Sequence, residues 1–338
     1  MHSTFLLMAR RPTAIFLNAS RLDYDGALSF DKLSALTYLV LNKVDNITST
    51  KDIVSKVGET EIVILKEMEL SSEALEQFPA SVKLICEAGT GYNNIPIRLA
   101  RQRNISVVNV PTYSTESVAH MVITYIMNFS AAIFSQARML YSDQNTINFK
   151  VFQHPIYEIN NKILGLIGGS GTIGTAVTDV ALALGMNVLI SSRHTKLPPG
   201  HKYEHHSKVT VVPLTELLQK SDFISINCPL NSETRHSIGR KEIESMKPTA
   251  FLINTARGAI INEQELIECM KENRIAGAGL DTQEVEPPPA DSELWKLPNV
   301  FMTPHIGWRR LETRQRLVDM TTDNIQSYID GKLKNVVN

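Results

Sequence analysis

Cysteine is scarce in this 338-residue chain. Its three cysteines, Cys86, Cys228 and Cys269, lie far apart and outside any CxxC or Cys/His spacing, which excludes a disulfide framework and a structural zinc site. An excess of one charge is also lacking. Thirty-four Lys plus Arg stand against 35 Asp plus Glu, so a net charge of -1 leaves no global attraction to nucleic acid or to an acidic membrane surface. The third absence is an uninterrupted apolar run of membrane length. Val118 to Phe134 is the longest apolar stretch, but His120, Asn128 and Ser130 break it, and a span needs about 20 apolar residues. It reads as a buried helix. The stretch up to Arg11 carries Arg10 and Arg11 behind a short apolar run, the reverse of a secretory signal, and reads as a short leader or flexible start. With its unpaired thiols, the chain is expected in a reducing compartment, the cytoplasm, with no membrane and no nucleic-acid partner.

What is present is the balance of an ordinary globular enzyme: 43% hydrophobic and 20% charged residues, in a chain long enough for two domains. Short β-branched runs alternate with amphipathic stretches. Ala14–Asn18, Glu61–Leu65 and Lys83–Glu87 are predicted as buried parallel strands, with helices over Ser29–Leu36, Thr50–Val57 and Ser72–Phe78. A second series of strands follows the apolar helix: Lys162–Gly168, Asn187–Ser191, Val209–Val212, Phe223–Asn227, Ala250–Asn254 and Gly277–Asp281. The fold class is therefore α/β, with two doubly wound parallel-sheet domains. Pro287, Pro288 and Pro289 mark a surface loop, and Arg310–Gly331 is a terminal amphipathic helix. His201, His205 and His206 fall in a polar segment, His194–Lys208, that reads as a solvated loop; no metal is expected.

Gly169-Ser170-Gly171-Thr172-Ile173-Gly174 matches GxGxxG between a strand and a predicted helix, Thr175–Leu184. Such glycines let the backbone approach a pyrophosphate that faces the helix N-terminus. A site for NAD places Asp or Glu about 20 residues on, at the end of the second strand, to accept from the ribose 2′-hydroxyl. Here that strand ends Ser191-Ser192-Arg193-His194, with no carboxylate. A hydroxyl followed by a guanidinium suits a 2′-phosphate, so NADP is expected in preference to NAD. If Arg193 instead stacks on the adenine or faces solvent, the choice stays open.

Arg257 in Asn254-Thr255-Ala256-Arg257-Gly258, Glu286, and His305 in Thr303-Pro304-His305-Ile306-Gly307 all follow predicted strands, where ligands bind in open α/β sheets. With these residues on the page, the chain resembles the D-isomer-specific 2-hydroxyacid dehydrogenases, and within them the glycerate dehydrogenase, or hydroxypyruvate reductase, branch. The likeness runs through Ala88–Ile95, Asn109–Ala119, Cys228-Pro229-Leu230, Glu233–His236, Gly279-Leu280-Asp281 and His305-Ile306-Gly307-Trp308. It implies a flavodoxin-like substrate-binding domain over residues 1–112, completed by residues 307–338, with a Rossmann NAD(P)-binding domain over residues 113–306 inserted between them. It further implies a homodimer to which the apolar helix contributes.

Residue chemistry supplies roles. Arg257 can engage the carboxylate and carbonyl of a 2-keto acid and stabilise the charge developing on oxygen. His305 would donate a proton to that oxygen, since an imidazole trades protons near neutrality. Glu286, which the resemblance favours over Glu284, would hold the ring. Backbone N–H groups of Gly89, Thr90 and Gly91 would cradle the substrate carboxylate. The resemblance adds Ser192, Cys228, Pro229, Thr234, Thr255, Ala256 and Gly307 to the cofactor pocket and places Asp281 at the nicotinamide carboxamide. Cys86 and Cys228 are read as inert thiols, having no basic partner.

The expected reaction is the reduction of hydroxypyruvate or glyoxylate. Alternatives are another 2-keto acid, such as pyruvate or a larger one, or a dinucleotide-sensing interaction protein like the corepressors of this fold. Several positions depart from the family. One extra residue between Gly165 and Gly171 makes Gly168 and Gly169 compete for the first glycine position and implies a wider phosphate turn. His120 and Asn93 replace common acidic or amide residues. Glu87 puts a carboxylate beside the substrate loop, so it is expected to face away or to pair with a base. Lys66 is read equally as an anion ligand or as a solvated lysine.

Overall fold

The computed structural model describes residues 10–44, 47, 49–142, 156–194 and 196–338. The chain forms two compact units. One comprises the described residues up to Ser114 together with Arg309–Asn338, and the other comprises Thr115–Trp308.

The first unit holds β1 (Thr13–Phe16), α1 (Ala19–Leu22), α2 (Asp31–Leu36), β2 (Tyr38–Leu41), α3 (Thr50–Val57), β3 (Ile62–Leu65), α4 (Ser72–Glu76), β4 (Leu84–Glu87), α5 (Ile97–Gln102) and β5 (Ser106–Val108). All pairs are parallel, in the order β2-β1-β3-β4-β5, the flavodoxin-like arrangement. Both β3 and β4 are buried along their whole length, because helices cover the two faces of a parallel sheet and even the carboxylate of Glu87 goes inside. Ser49 and Ser71 cap α3 and α4 by accepting from the N–H groups of Asp52 and Ala74. The terminal helix, Leu311–Ile329, packs on α2, and Val336 pairs antiparallel with Val108.

The second unit holds α6 (Thr115–Ala131), α7 (Ile133–Ser142), β6 (Ile163–Ile167), α8 (Thr172–Ala183), β7 (Asn187–Ser191), β8 (Val209–Val211), α9 (Leu214–Lys220), β9 (Phe223–Ile226), α10 (Arg240–Glu244), β10 (Phe251–Asn254), α11 (Glu263–Lys271), β11 (Gly277–Leu280) and β12 (Val300–Met302). Its seven parallel strands run β8-β7-β6-β9-β10-β11-β12. This is the Rossmann order with one further strand, and the order reverses between β6 and β9, which opens a ligand crevice at their C-terminal ends.

The apolar stretch departs from the expected single buried helix. Ala132 takes φ +49 and the helix axis turns by 61° between α6 and α7. Val122, Ile126 and Phe129 of α6 are buried, with Phe129 stacked on Phe251 at 4.5 Å, whereas Met127, Ile133, Phe134 and Tyr141 are exposed. No helix among the described residues is long and apolar enough to cross a membrane.

Candidate active site

The glycine turn begins directly after β6. Gly168 takes φ +80, and a methyl group on it would lie 2.8 Å from the Cys228 backbone nitrogen. A methyl on Gly169 would meet Leu166 at 2.6 Å, and one on Gly174 would meet the Gly169 α-carbon at 2.5 Å. Gly168 therefore supplies the left-handed turn and Gly169 the close packing of turn on helix, so the two glycines share the position for which they compete in the sequence. The extra residue is absorbed in a tight turn, closed by the Gly171 N–H donating to the Gly168 carbonyl at 3.3 Å. The helix starts at Thr172, three residues before its expected start, with Gly171 as its N-cap. Thr172, Ile173 and Gly174 thus form the first turn, whose N–H groups have no intrahelical acceptor.

At the end of β7, the Ser192 hydroxyl donates to the His194 carbonyl at 2.9 Å, and Arg193 is exposed. At the end of β9, the Thr234 hydroxyl donates to the Pro229 carbonyl at 2.7 Å and closes the loop that begins at Cys228. Burial raises the Cys228 and Cys86 thiol pKa values, which suits inert thiols.

The three chemistry-bearing residues sit on neighbouring strand ends. His305 Nδ1 lies 2.8 Å from Glu286 Oε2, and the other Glu286 oxygen accepts from the Gln283 N–H at 3.1 Å. His305 holds φ +52, and its N–H donates to the Asp281 carbonyl at 3.0 Å. Asp281, buried at the end of β11, is the anchor of this loop: Oδ1 accepts from the Thr303 hydroxyl at 2.6 Å and the Ile306 N–H at 2.8 Å, and Oδ2 accepts from the Gly307 N–H at 2.8 Å. Because the Thr303 hydroxyl gives its proton to Asp281, the Tyr125 hydroxyl 2.7 Å away is the donor to Thr303, and burial pushes the pKa of that phenol up. Arg257 follows β10 and is half-buried. Asn254 shapes its turn, with Nδ2 donating to the Arg257 carbonyl at 2.9 Å and Oδ1 accepting from the Ala256 N–H at 3.0 Å. A methyl on Gly258 would overlap the Gln283 carbonyl, so the arginine turn and the Gln283–Glu286 loop touch through a glycine. Glu284 is spent elsewhere, with Oε1 2.7 Å from His236 Nε2.

A model of the D-isomer specific 2-hydroxyacid dehydrogenase NAD binding domain matches residues 124–307, more than half of the chain. The chain is 31% identical over 324 residues to a hydroxypyruvate reductase of Blautia hydrogenotrophica, covering 95% of this chain and 97% of that one. This chain belongs to the D-isomer specific 2-hydroxyacid dehydrogenases. A glycerate dehydrogenase of Methylorubrum extorquens is 33% identical over 291 residues, 85% of this chain and 88% of that one. Among solved structures, an acyclic imino acid reductase in complex with NADPH and D-Arg superposes with a TM-score of 0.81 at 27% identity, covering 96% of this chain and all of that one.

The dehydrogenase uses a nicotinamide dinucleotide, and the second unit fits one. Besides the glycine turn and the first turn of α8, it has buried polar atoms without a partner among the described residues: the Asn227 side-chain amide after β9 and the Thr255 hydroxyl after β10. Such atoms call for a ligand at the C-terminal edge of the sheet. Asn227, Asn254, Thr303 and Gly258 are the residues that sequence reasoning missed as participants. Their signal was position, each standing within or directly beside a strand-to-loop turn.

Gly89, Thr90 and Gly91 belong to the first unit, in the loop after β4. The Val110 N–H donates to the Gly89 carbonyl at 2.8 Å, and the Thr90 hydroxyl donates to the Val110 carbonyl at 3.0 Å. Lys66 is not solvated but fully buried. Glu87 is buried beside it and is held by donors rather than turned to solvent.

Proposed function

We propose that this dehydrogenase is an NADP-preferring reductase of small polar 2-keto acids, hydroxypyruvate or glyoxylate, equivalent to D-glycerate dehydrogenase run in reverse. The observation that carries this reading is the His305–Glu286 pair, a 2.8 Å contact on a strand end next to that of Arg257. Its support for this substrate class comes from relatives named hydroxypyruvate reductase and glycerate dehydrogenase.

The bound dinucleotide supplies the hydride. Arg257 binds the substrate's carboxylate and carbonyl through its planar fork and stabilises the negative charge growing on the carbonyl oxygen. Gly89, Thr90 and Gly91 add backbone N–H donors to the carboxylate. With Nδ1 held by Glu286, His305 presents its Nε2 proton to the carbonyl oxygen, and in the reverse direction takes it back. The carboxylate of Asp281, buried and accepting three hydrogen bonds, keeps the His305 loop in place and would orient the nicotinamide carboxamide of a bound dinucleotide. Gly169 to Gly174 take the pyrophosphate, with Cys228, Pro229, Thr234, Thr255, Ala256 and Gly307 lining the remainder of the cofactor pocket.

The NADP preference rests on the missing carboxylate after β7 and on the exposed guanidinium of Arg193 beside the Ser192 hydroxyl. Arg193→Asp is expected to lower kcat/KM for NADPH by about 10-fold to 100-fold, the loss of one charge-assisted phosphate contact plus a repulsion, while NADH turnover holds or rises. Initial rates with both reduced cofactors and with hydroxypyruvate, glyoxylate, pyruvate and phenylpyruvate test both halves of the reading. An unchanged NADPH to NADH ratio in the variant would refute the phosphate contact, and fastest turnover on phenylpyruvate would refute the small polar substrate. A homodimer is part of this proposal, supported by the exposed apolar side chains Met127, Ile133, Phe134 and Tyr141 of α6 and α7. The three free cysteines suit the cytoplasm.

A further inference from the structure

The Gly89–Gly91 loop lies against a buried charged cluster that the mechanism above leaves unused. Lys66, the residue after β3, is fully buried, and the amide of Asn18 clamps its backbone: Nδ2 donates to the Lys66 carbonyl at 2.8 Å and Oδ1 accepts from its N–H at 2.9 Å. The Lys66 ammonium donates to Glu67 Oε1 at 2.7 Å and to the Tyr113 hydroxyl at 3.3 Å. The other Glu67 oxygen takes the Arg21 guanidinium at 2.9 Å. Glu87, paired in register with Leu65 at the end of β4, accepts from the Glu67 N–H at 3.0 Å and from Asn94 Nδ2 at 2.8 Å. A methyl group on Gly89 would lie 2.9 Å from Glu87 Oε1 and 3.3 Å from Lys66 Nζ, so both charges press on the first glycine of the loop.

Burying two charges often costs more than burying an apolar pair of the same volume. They stand, moreover, at the C-terminal ends of adjacent parallel strands, where ligands bind in this class of sheet. Building on the assignment of Gly89–Gly91 as the carboxylate cradle, we propose that Lys66 is a substrate-positioning residue: its buried ammonium, fixed behind Gly89, supplies the positive charge that draws the 2-keto acid's carboxylate to the loop, and Glu87 is the counter-charge that limits this grip.

The charges settle the sign. Glu67 is shared between the Lys66 ammonium and the Arg21 guanidinium, so with Glu87 ionised the two cations and two carboxylates balance, and with Glu87 neutral one positive charge is left over. Burial lowers the Lys66 pKa, but Glu67, Tyr113 and Glu87 outweigh it and the ammonium keeps its proton. Burial pushes Glu87 up to about 7 against the opposing pull of Lys66, Asn94 and the Glu67 N–H, while the adjacent Cys86 thiol stays protonated. Below that value Glu87 is neutral and the cluster presents a net positive charge; above it the charge is cancelled. An arriving anion favours protonated Glu87, so substrate affinity weakens as pH rises through neutrality.

The test uses the full-length protein with NADPH and hydroxypyruvate, measuring KM and kcat across the neutral range together with NADPH affinity by fluorescence. Glu87→Gln is expected to lower KM several-fold above neutrality, to flatten the rise of KM with pH, and to leave kcat and NADPH affinity nearly unchanged. Adding Lys66→Met to Glu87→Gln, which avoids stranding a buried carboxylate, is expected to raise KM about tenfold over the single variant. A Glu87→Gln profile superimposable on the wild type, the outcome if His305 alone sets the pH dependence, would overturn the proposal. So would a double variant with the KM of the single one. Should the double variant fail to fold, the Glu87→Gln profile decides alone. A wild-type protein that reduces no 2-keto acid would instead overturn the functional reading beneath it.

Discussion

His305→Asn is expected to lower kcat for hydroxypyruvate reduction by about 10²- to 10⁴-fold, the usual contribution of a positioned general acid. Asparagine is the informative replacement because His305 holds φ +52, a conformation that Asn adopts readily and Ala does not. The loop's remaining anchors lie outside the imidazole. Asp281 accepts from the N–H groups of Ile306 and Gly307, at 2.8 Å each, and these bonds persist in the variant. Thermal stability and NADPH affinity should therefore stay close to wild type while turnover collapses. Glu286→Gln should act through His305 in a milder way. It keeps an acceptor for the ring but loses the charge-assisted hydrogen bond that holds it, so kcat should fall by less than in His305→Asn while cofactor affinity holds. Wild-type turnover in His305→Asn would remove the histidine from the chemistry; a loss of turnover accompanied by an equal loss of cofactor affinity would show that the loop had moved.

What could be read from the sequence follows from burial. The strands predicted at Glu61–Leu65, Lys83–Glu87 and Phe223–Asn227 form as Ile62–Leu65, Leu84–Glu87 and Phe223–Ile226 inside helix-covered sheets, where both faces select apolar side chains and the run stands out. β2 was missed because it is a sheet edge, with Tyr38 and Val40 exposed, and so has only one strand to pack against. The three-residue β5 is too short to show a period. The break at Ala132 carries no glycine or proline, and nothing in its apolar surroundings announces a turn. In the site, His305, Glu286 and Arg257 were legible because each follows a strand, in a chain order that the resemblance supplies. The anchoring of that loop was not. Asp281, Thr303 and Tyr125 form one hydrogen-bonded chain only because β11, β12 and α6 meet in space, a coincidence that linear spacing does not encode. The burial of Lys66 beside Glu87 was hidden for the same reason, since 21 positions separate two residues that the register of β3 on β4 makes neighbours.

Arg257→Ala should be the most damaging substitution for kcat/KM, with a fall of about 10³-fold or more, because it removes both a charge-assisted carboxylate contact and the group facing the developing oxyanion. Arg257→Lys separates the two contributions. A lysine keeps the charge but not the planar fork that spans carboxylate and carbonyl together, so it should recover substrate affinity better than turnover. Gly258→Ala tests whether the placement of the guanidinium, rather than its presence, sets the rate. The added methyl collides with the Gln283 carbonyl, and the N–H of Gln283 is a donor to Glu286 at 3.1 Å, so one methyl group disturbs the arginine turn and the carboxylate behind His305 at once. Its expected loss of turnover is comparable with that of Arg257→Ala, although every reacting side chain is still present. Cofactor affinity should hold in the two Arg257 variants, since the glycine turn and the first turn of α8 lie on β6, two strands away from β10 in the sheet, whereas Gly258→Ala, which shifts the turn carrying Thr255 and Ala256, should weaken it modestly as well. Near-normal turnover in Gly258→Ala would mean that the two loops relax independently, and the coupling of Arg257 to the acid pair through that contact would have to be given up.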